Sequence, residues 1–275
     1  MSPIIFSELD QCLLDKSASH ELASDALYEI SEKEIPLVLS SNRSLEDMLS
    51  KTANLPQKPY LIGENGACFA VPIESKLNKY FSWNASLGDY NVYFNPHSKS
   101  RILKVLKGVR ESIGDCFIEF SNICTRQTDT LNALESHDLS LSLNRQANEF
   151  VIWQGSDYDW WIFKDHMEQS FLSVLKGDFF AQVMEASVNK ATGMFYMLNL
   201  FRNVFPNTRW FSVGLGASVE DVSMLEHVDY PVVVRKPKSS HLQLERSDYQ
   251  LTESFSSQAW NESMLQFLNL SLSDL

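Results

Sequence analysis

Positive charge is what this chain has little of. Its 23 lysines and arginines face 35 aspartates and glutamates, leaving a formal net charge of −12 over 275 residues. A polyanion such as nucleic acid is repelled by such a protein unless basic residues gather in one stripe. No stripe is evident, and Arg235-Lys236-Pro237-Lys238 reads as a short solvated loop. Cysteine is scarce too: Cys12, Cys68, Cys116 and Cys124 have neither metal-ligand spacing nor the density of a disulfide framework. That usage points to a reducing, cytoplasmic setting. No apolar run approaches the length that spans a bilayer, so no membrane partner is expected. Residues 1–10 read as an acid-bearing strand rather than a leader peptide. Internal repeats and low-complexity segments are absent. Against these lacks stand 44% hydrophobic and 12% aromatic residues, enough for a full core. The length suits one large domain or a core with a second domain inserted.

The pattern along the chain alternates strand and helix. Ile4-Ile5-Phe6 is a short run of strand formers, and Ser19 to Glu34 reads as a helix with Leu22, Ala26, Leu27 and Ile30 on one face. Leu37-Val38-Leu39 makes a second buried strand, ending in the polar turn Ser40-Ser41-Asn42-Arg43-Ser44 before a helix from Leu45. Pro59 to Ile62 is a third strand, and Cys68 to Val71 returns after the turn at Glu64-Asn65-Gly66-Ala67. This order argues for a parallel sheet. From about Ser82 to Lys176 the pattern changes: a helix over 98–112, strands at 116–120 and 150–153, and four of the six tryptophans. That segment is expected to be an inserted α+β domain. Parallel organisation then resumes with helices over 191–205 and 219–227, strands over 210–213 and 231–234, and a closing helix over 259–270.

Three places carry chemistry. Glu8 and Asp10 follow the first strand at a spacing of two, which at a strand end puts both side chains on one side, converging on one point. In open α/β sheets, ligands bind beyond the carboxyl ends of the strands. The pair therefore reads either as a cation or acid/base site, or as a solvated turn. Ser41, at the end of the second strand, is suited to hold a phosphate oxygen or simply to cap a turn. Lys190 opens a helix, where a cation is poorly matched to the helix dipole, and this suggests an anionic neighbour.

Taken together these stretches resemble the haloacid dehalogenase superfamily of phosphohydrolases. Glu8-Leu9-Asp10-Gln11-Cys12-Leu13-Leu14-Asp15 is similar to its first motif, D-x-D-G-T-L-L-D. Ser41 stands at the second motif, and Asn189-Lys190-Ala191-Thr192-Gly193 resembles the third. Gly214-Leu215-Gly216-Ala217-Ser218-Val219-Glu220-Asp221 is similar to the fourth, G-D-S-x-N-D. Within the superfamily the chain resembles the mannosyl-3-phosphoglycerate phosphatase family, whose cap domain lies between motifs two and three. Arg145, Glu149 and Trp153 keep step with that family's cap motif, R-E-Y-S-E-P-I-I-W.

The resemblance implies an α/β fold: a Rossmann-like parallel sheet core over 1–82 and 185–275, with an inserted α+β cap over 83–184. It implies catalytic roles for Glu8, Asp10 and Lys190. Phosphate or substrate would be held by Ser41, Asn42, Lys190, Arg145 and Glu149. Magnesium would sit among Glu8, Asp10, Asp221 and Glu220, and the partner would be a small phosphorylated sugar or glycerate ester. Two of the departures from the pattern fall on chemical groups. Glu8 stands where the family has its nucleophilic aspartate, and Ala217 where it has a metal-binding aspartate. One extra methylene moves a carboxylate by roughly 1.5 Å, and a misplacement of about 1 Å costs on the order of a hundredfold in rate. The expectation is a family member whose phosphomonoester hydrolysis is weak or absent. The alternative is an active magnesium-dependent phosphatase in which Glu220, about one helical turn on, replaces the acid lost at 217.

Overall fold

The computed structural model describes residues 1–122, 144–176, 180–237 and 242–270. Cys124 and Lys238 lie outside them. Two compact units emerge, one formed by Met1–Tyr93 with Asn189–Leu275 and one by Phe94–Val188.

The first unit begins with β1 (Ser2–Glu8), α1 (Ser24–Glu32), β2 (Leu37–Ser40), α2 (Leu45–Thr52), β3 (Tyr60–Gly63) and β4 (Cys68–Pro72). A hairpin of β5 (Ala85–Leu87) and β6 (Tyr90–Phe94) follows. The second unit holds α3 (Ser98–Ile113), β7 (Phe117–Glu119), β8 (Glu149–Trp153), α4 (Asp157–Gln169), β9 (Leu172–Lys176) and β10 (Ala181–Glu185). The chain then returns to the first unit through α5 (Lys190–Val204), β11 (Trp210–Gly216), α6 (Val222–Leu225), β12 (Tyr230–Arg235), β13 (Gln250–Phe255) and α7 (Ser256–Asn269).

In the first unit nine strands form one sheet in the order β13-β12-β11-β1-β2-β3-β4-β6-β5. From β13 to β3 every neighbouring pair is parallel. Parallel sheets are covered on both faces, which is why β1 and β2 read as continuous apolar runs. Phe6 packs with Met194, Met197 and Phe201 of α5 on one face. Ser7 must point to the other face, and there its hydroxyl accepts a hydrogen bond at 2.9 Å from the indole N–H of Trp260 in α7. Asn261, next along α7, accepts from the backbone N–H of Ala26 at 2.9 Å. The closing helix thus clamps the first strand and the first helix together.

Several expectations shift in detail. The helix expected over 19–34 is a 3-10 turn at Glu21–Ala23 followed by α1, and Leu22 is exposed while Ala26, Leu27 and Ile30 are buried. The tighter 3-10 turn rotates Leu22 off the α-helical face. The helix expected over 219–227 is likewise a 3-10 turn, Val219–Asp221, running into the short α6.

The second unit is an antiparallel sheet in the order β7-β8-β10-β9, with α3 and α4 covering one face. Ile102, Leu106, Phe117, Val151, Phe163 and Met167 form its core. Trp153 and Trp160 meet edge to face beside Phe163, with ring centroids 5.0 Å apart. An antiparallel sheet with segregated helices is an α+β arrangement.

Candidate functional site

The carboxyl ends of β1, β2 and β11 lie side by side, and the loops leaving them bring charged residues together. β1 stops at Glu8, so strand alternation does not reach Asp10, which sits in the following turn bridged to Leu14. The two carboxylates accordingly face different partners instead of converging on one point.

Glu8 is held at both oxygens. Oε1 accepts from the backbone N–H of Leu9 at 2.7 Å and of Asp10 at 3.1 Å. Oε2 accepts from the ammonium of Lys190. Lys190 also donates to Asp221 Oδ1 at 2.6 Å, and its side chain is fully buried. Asn189 starts α5 with a capping box to Thr192, which places Lys190 in the first turn of the helix. There its charge opposes the helix dipole, and Glu8 and Asp221 reverse that mismatch. Gly66 makes the approach possible. Its φ is +105°, and a Cβ there would stand 2.2 Å from the carbonyl oxygen of Asn189.

Asp221 closes the loop after β11. Its Oδ2 accepts from the N–H of Ala217 and of Ser218, each at 2.8 Å, and from the Ser218 hydroxyl at 2.9 Å. Gly216 leaves room for this turn, since a Cβ there would meet Asp221 Cβ at 2.5 Å. Burial pushes the Asp221 carboxyl up, but the Lys190 ammonium and the donors of Ala217 and Ser218 outweigh it and hold the acid below the ordinary range. Glu220 is partly exposed and makes no hydrogen bond or ion pair with this cluster among the described residues.

Asp10 is taken by Arg43, a residue the sequence pattern did not single out. The guanidinium grips both carboxylate oxygens, Nε to Oδ2 at 2.6 Å and NH2 to Oδ1 at 2.9 Å. Its NH1 reaches the buried Asp47 one turn along α2. Burial lowers the affinity of Arg43 for its proton, and the two carboxylates more than restore it. Ser41 is buried in the same loop. Its N–H donates to Ile62 and its carbonyl accepts from Asn65, while its hydroxyl accepts a long bond, 3.4 Å, from the N–H of Arg43. Asn42, beside it, is partly exposed. The signal that could have found Arg43 is its i, i+4 relation to Asp47 at a strand-end loop.

Arg145 and Glu149 belong to the second unit. Arg145 bonds Asn148 Oδ1 and lays its guanidinium over the Phe150 ring, 3.8 Å from the centroid. Glu149 is buried, ion-paired with Lys99, and accepts from the N–H of Ser121 at 3.1 Å.

The four acids expected around magnesium are not assembled as a cation site. Lys190 stands between Glu8 and Asp221, Arg43 occupies Asp10, and position 217 offers a methyl group. Among the described residues no group of three or more His, Cys, Asp or Glu side chains is placed to hold a metal ion. Magnesium needs oxygen donors in near-octahedral array at about 2.0–2.1 Å, and these residues do not fit it as arranged.

A family model described as haloacid dehalogenase-like hydrolase matches residues 5–244 of the chain. Solved structures agree on the fold. A phosphatase of the haloalkanoate (HAD) superfamily from Bacteroides thetaiotaomicron superposes with a TM-score of 0.67 at 15% identity, covering 98% of this chain and 96% of that one. The sucrose-phosphatase of Synechocystis sp., solved with sucrose and phosphate, gives 0.61 at 12% identity, with 98% and 100% covered. A haloacid dehalogenase-like hydrolase from B. subtilis gives 0.61 at 15% identity, again over 98% and 100%.

Proposed function

Because the chain belongs to the haloacid dehalogenase-like hydrolase family, we propose that it binds a small phosphorylated sugar or glycerate ester and hydrolyses phosphomonoesters weakly or not at all. One observation carries the second half of that reading: the Glu8 carboxylate is bound at both oxygens, by Lys190 on one and by two backbone N–H groups on the other. Phosphoryl transfer depends on positioning and charge neutralisation. An acid already longer by a methylene, and already paired, must give up its partners before it can reach a phosphorus atom.

Binding rests on a different set. Ser41 and Asn42 follow the carboxyl end of β2, and Lys190 would turn to a phosphate only by loosening its pairing with Glu8 or Asp221. The sucrose-phosphatase of Synechocystis sp., similar in fold, was solved with sucrose and phosphate. The likeness of the Arg145 to Trp153 stretch to the mannosyl-3-phosphoglycerate phosphatase family narrows the ligand to a sugar or glycerate ester. A cytoplasmic location belongs to the same reading and rests on the scarce, irregularly spaced cysteines of the sequence.

The test pairs turnover with binding. The purified protein is assayed against p-nitrophenyl phosphate and a panel of small sugar phosphates, with and without magnesium. Calorimetric titration of the same esters follows. The expected result is turnover at least about a hundredfold below Asp-bearing relatives, with saturable binding weakened several-fold by Ser41→Ala. Robust turnover abolished by Glu8→Ala would overturn the weak-hydrolysis reading. Absence of binding across the panel would overturn the ligand class.

A further inference from the structure

We propose that the acid cluster at the end of β1 takes no divalent cation, because Arg43 and Lys190 already supply its positive charge from within the chain. The inference stands whether or not an ester is bound or turned over. Its basis is a complete account of six carboxylate oxygens. Glu8 Oε1 faces the N–H groups of Leu9 and Asp10, and Glu8 Oε2 faces Lys190. Asp10 Oδ1 and Oδ2 face Arg43 NH2 and Nε. Asp221 Oδ1 faces Lys190, and Asp221 Oδ2 faces Ala217 and Ser218. Each of these six oxygens has a donor within the protein.

Arg43 is the residue that makes this arrangement hard to reverse. Its planar fork matches a carboxylate with two parallel bonds, which a lysine cannot do. It is also shared: the same guanidinium reaches Asp47, which is buried in α2 and otherwise has, among the described residues, only Lys51 at 3.9 Å as a cationic partner. Seating a cation on Asp10 would pull Arg43 away and leave Asp47 a buried, poorly compensated charge, a costly state. Nor would the cation gain a ligand at position 217, where the side chain is a methyl group.

Two measurements decide the matter, and neither reads activity. Manganese is titrated into the protein and followed by electron paramagnetic resonance, with melting midpoints recorded in EDTA and in millimolar magnesium. The wild type is expected to give no saturable manganese binding and the same midpoint in both solutions. The double variant Arg43→Met with Ala217→Asp is expected to gain saturable binding, because it frees Asp10 and adds an acid at 217. Saturable binding by the wild type that Asp10→Asn abolishes overturns the proposal. So does a double variant that melts cooperatively yet binds nothing, since Arg43 would then not be what excludes the cation. Should the double variant fail to fold, the sign of the Asp10→Asn effect in EDTA still decides. In a vacated metal site, removing a carboxylate relieves repulsion and raises the midpoint. In a site neutralised by Arg43 it removes a paired charge and lowers the midpoint.

Discussion

Each unit of the chain pairs a lysine with a buried carboxylate, and the two arrangements differ in charge and in reach. In the second unit Lys99 of α3 pairs with Glu149 at the start of β8 and donates to the carbonyl of Asn148 at 2.9 Å. That is one cation for one anion, and the lysine side chain keeps 19% of its exposure. In the first unit one fully buried lysine serves two carboxylates, drawn from positions 182 and 31 residues away. A one-to-one pair is neutral, and fold assembly alone accounts for it. A two-to-one cluster keeps residual negative charge, which is offset by the N–H groups of Leu9, Asp10, Ala217 and Ser218 and by the positive end of α5. Excess charge held this tightly at adjoining strand ends supports the proposed site, whereas the Lys99 pair reads as structural.

The comparison breaks most sharply at the lysines. Lys190→Met leaves two buried carboxylates with no ammonium between them, and breaking a buried pair from one side costs about 3–5 kcal/mol. Lys99→Met should cost less, about 2 kcal/mol, because Glu149 keeps the N–H of Ser121 and Lys99 is partly in water. Urea unfolding of both variants checks the order. Equal losses would mean that the second carboxylate on Lys190 adds nothing to its importance.

Glycines give a second contrast. Gly66→Ala forces a Cβ onto the backbone of Asn189 from a left-handed conformation, so the start of α5 must move. A loss of about 2–3 kcal/mol is expected, with Lys190 displaced from Glu8. Gly108→Ala, inside α3 with open space around it, should instead stabilise by about 0.5–1 kcal/mol. A neutral Gly66→Ala would show that the turn at Glu64 to Ala67 can relax without disturbing the lysine.

How much of this was legible beforehand follows from what each residue's neighbours reveal. The parallel core could be read because β1 and β2 are buried on both faces and so appear as unbroken apolar runs. β13 could not: in Gln250–Phe255 only Thr252 is buried, as befits an edge strand. Lys190 could be read because a cation in the first turn of a helix is a local misfit that asks for an anion. Arg43 could not, since it sits in the polar run Ser40 to Ser44 and its partner Asp10 lies 33 residues away. Chain topology, which no local pattern carries, puts the two together. Helical spacing alone suggests that Glu220 replaces the acid lost at 217, but the loop is a 3-10 turn in which Asp221 folds back onto Ala217.

The finest distinction between the clusters lies in acid. Lys190 and the donors of Ala217 and Ser218 overcome burial and hold the Asp221 carboxyl below its ordinary range. An unfolded aspartate titrates at about 3.9. A depressed folded value means that the stability contributed by Asp221 is fully present above about pH 4 and is lost as pH falls through the lower folded value. In Lys190→Met the sign reverses. Burial beside Glu8 would then raise the Asp221 pKa, the folded state would hold a proton that the unfolded state has released, and stability would increase as pH falls from neutrality toward about pH 4. The other carboxylates of the chain titrate in both proteins, so the difference between the two stability profiles isolates the cluster. Urea midpoints measured from about pH 3 to pH 7 should therefore converge on acidification, the variant gaining while the wild type loses. Lys99→Met, measured in the same way, is the control for a lysine that does not touch Asp221, and its difference profile should lack that acid convergence below about pH 4. Parallel profiles for wild type and Lys190→Met would mean that the backbone donors alone fix the Asp221 charge, leaving Lys190 to serve Glu8 only.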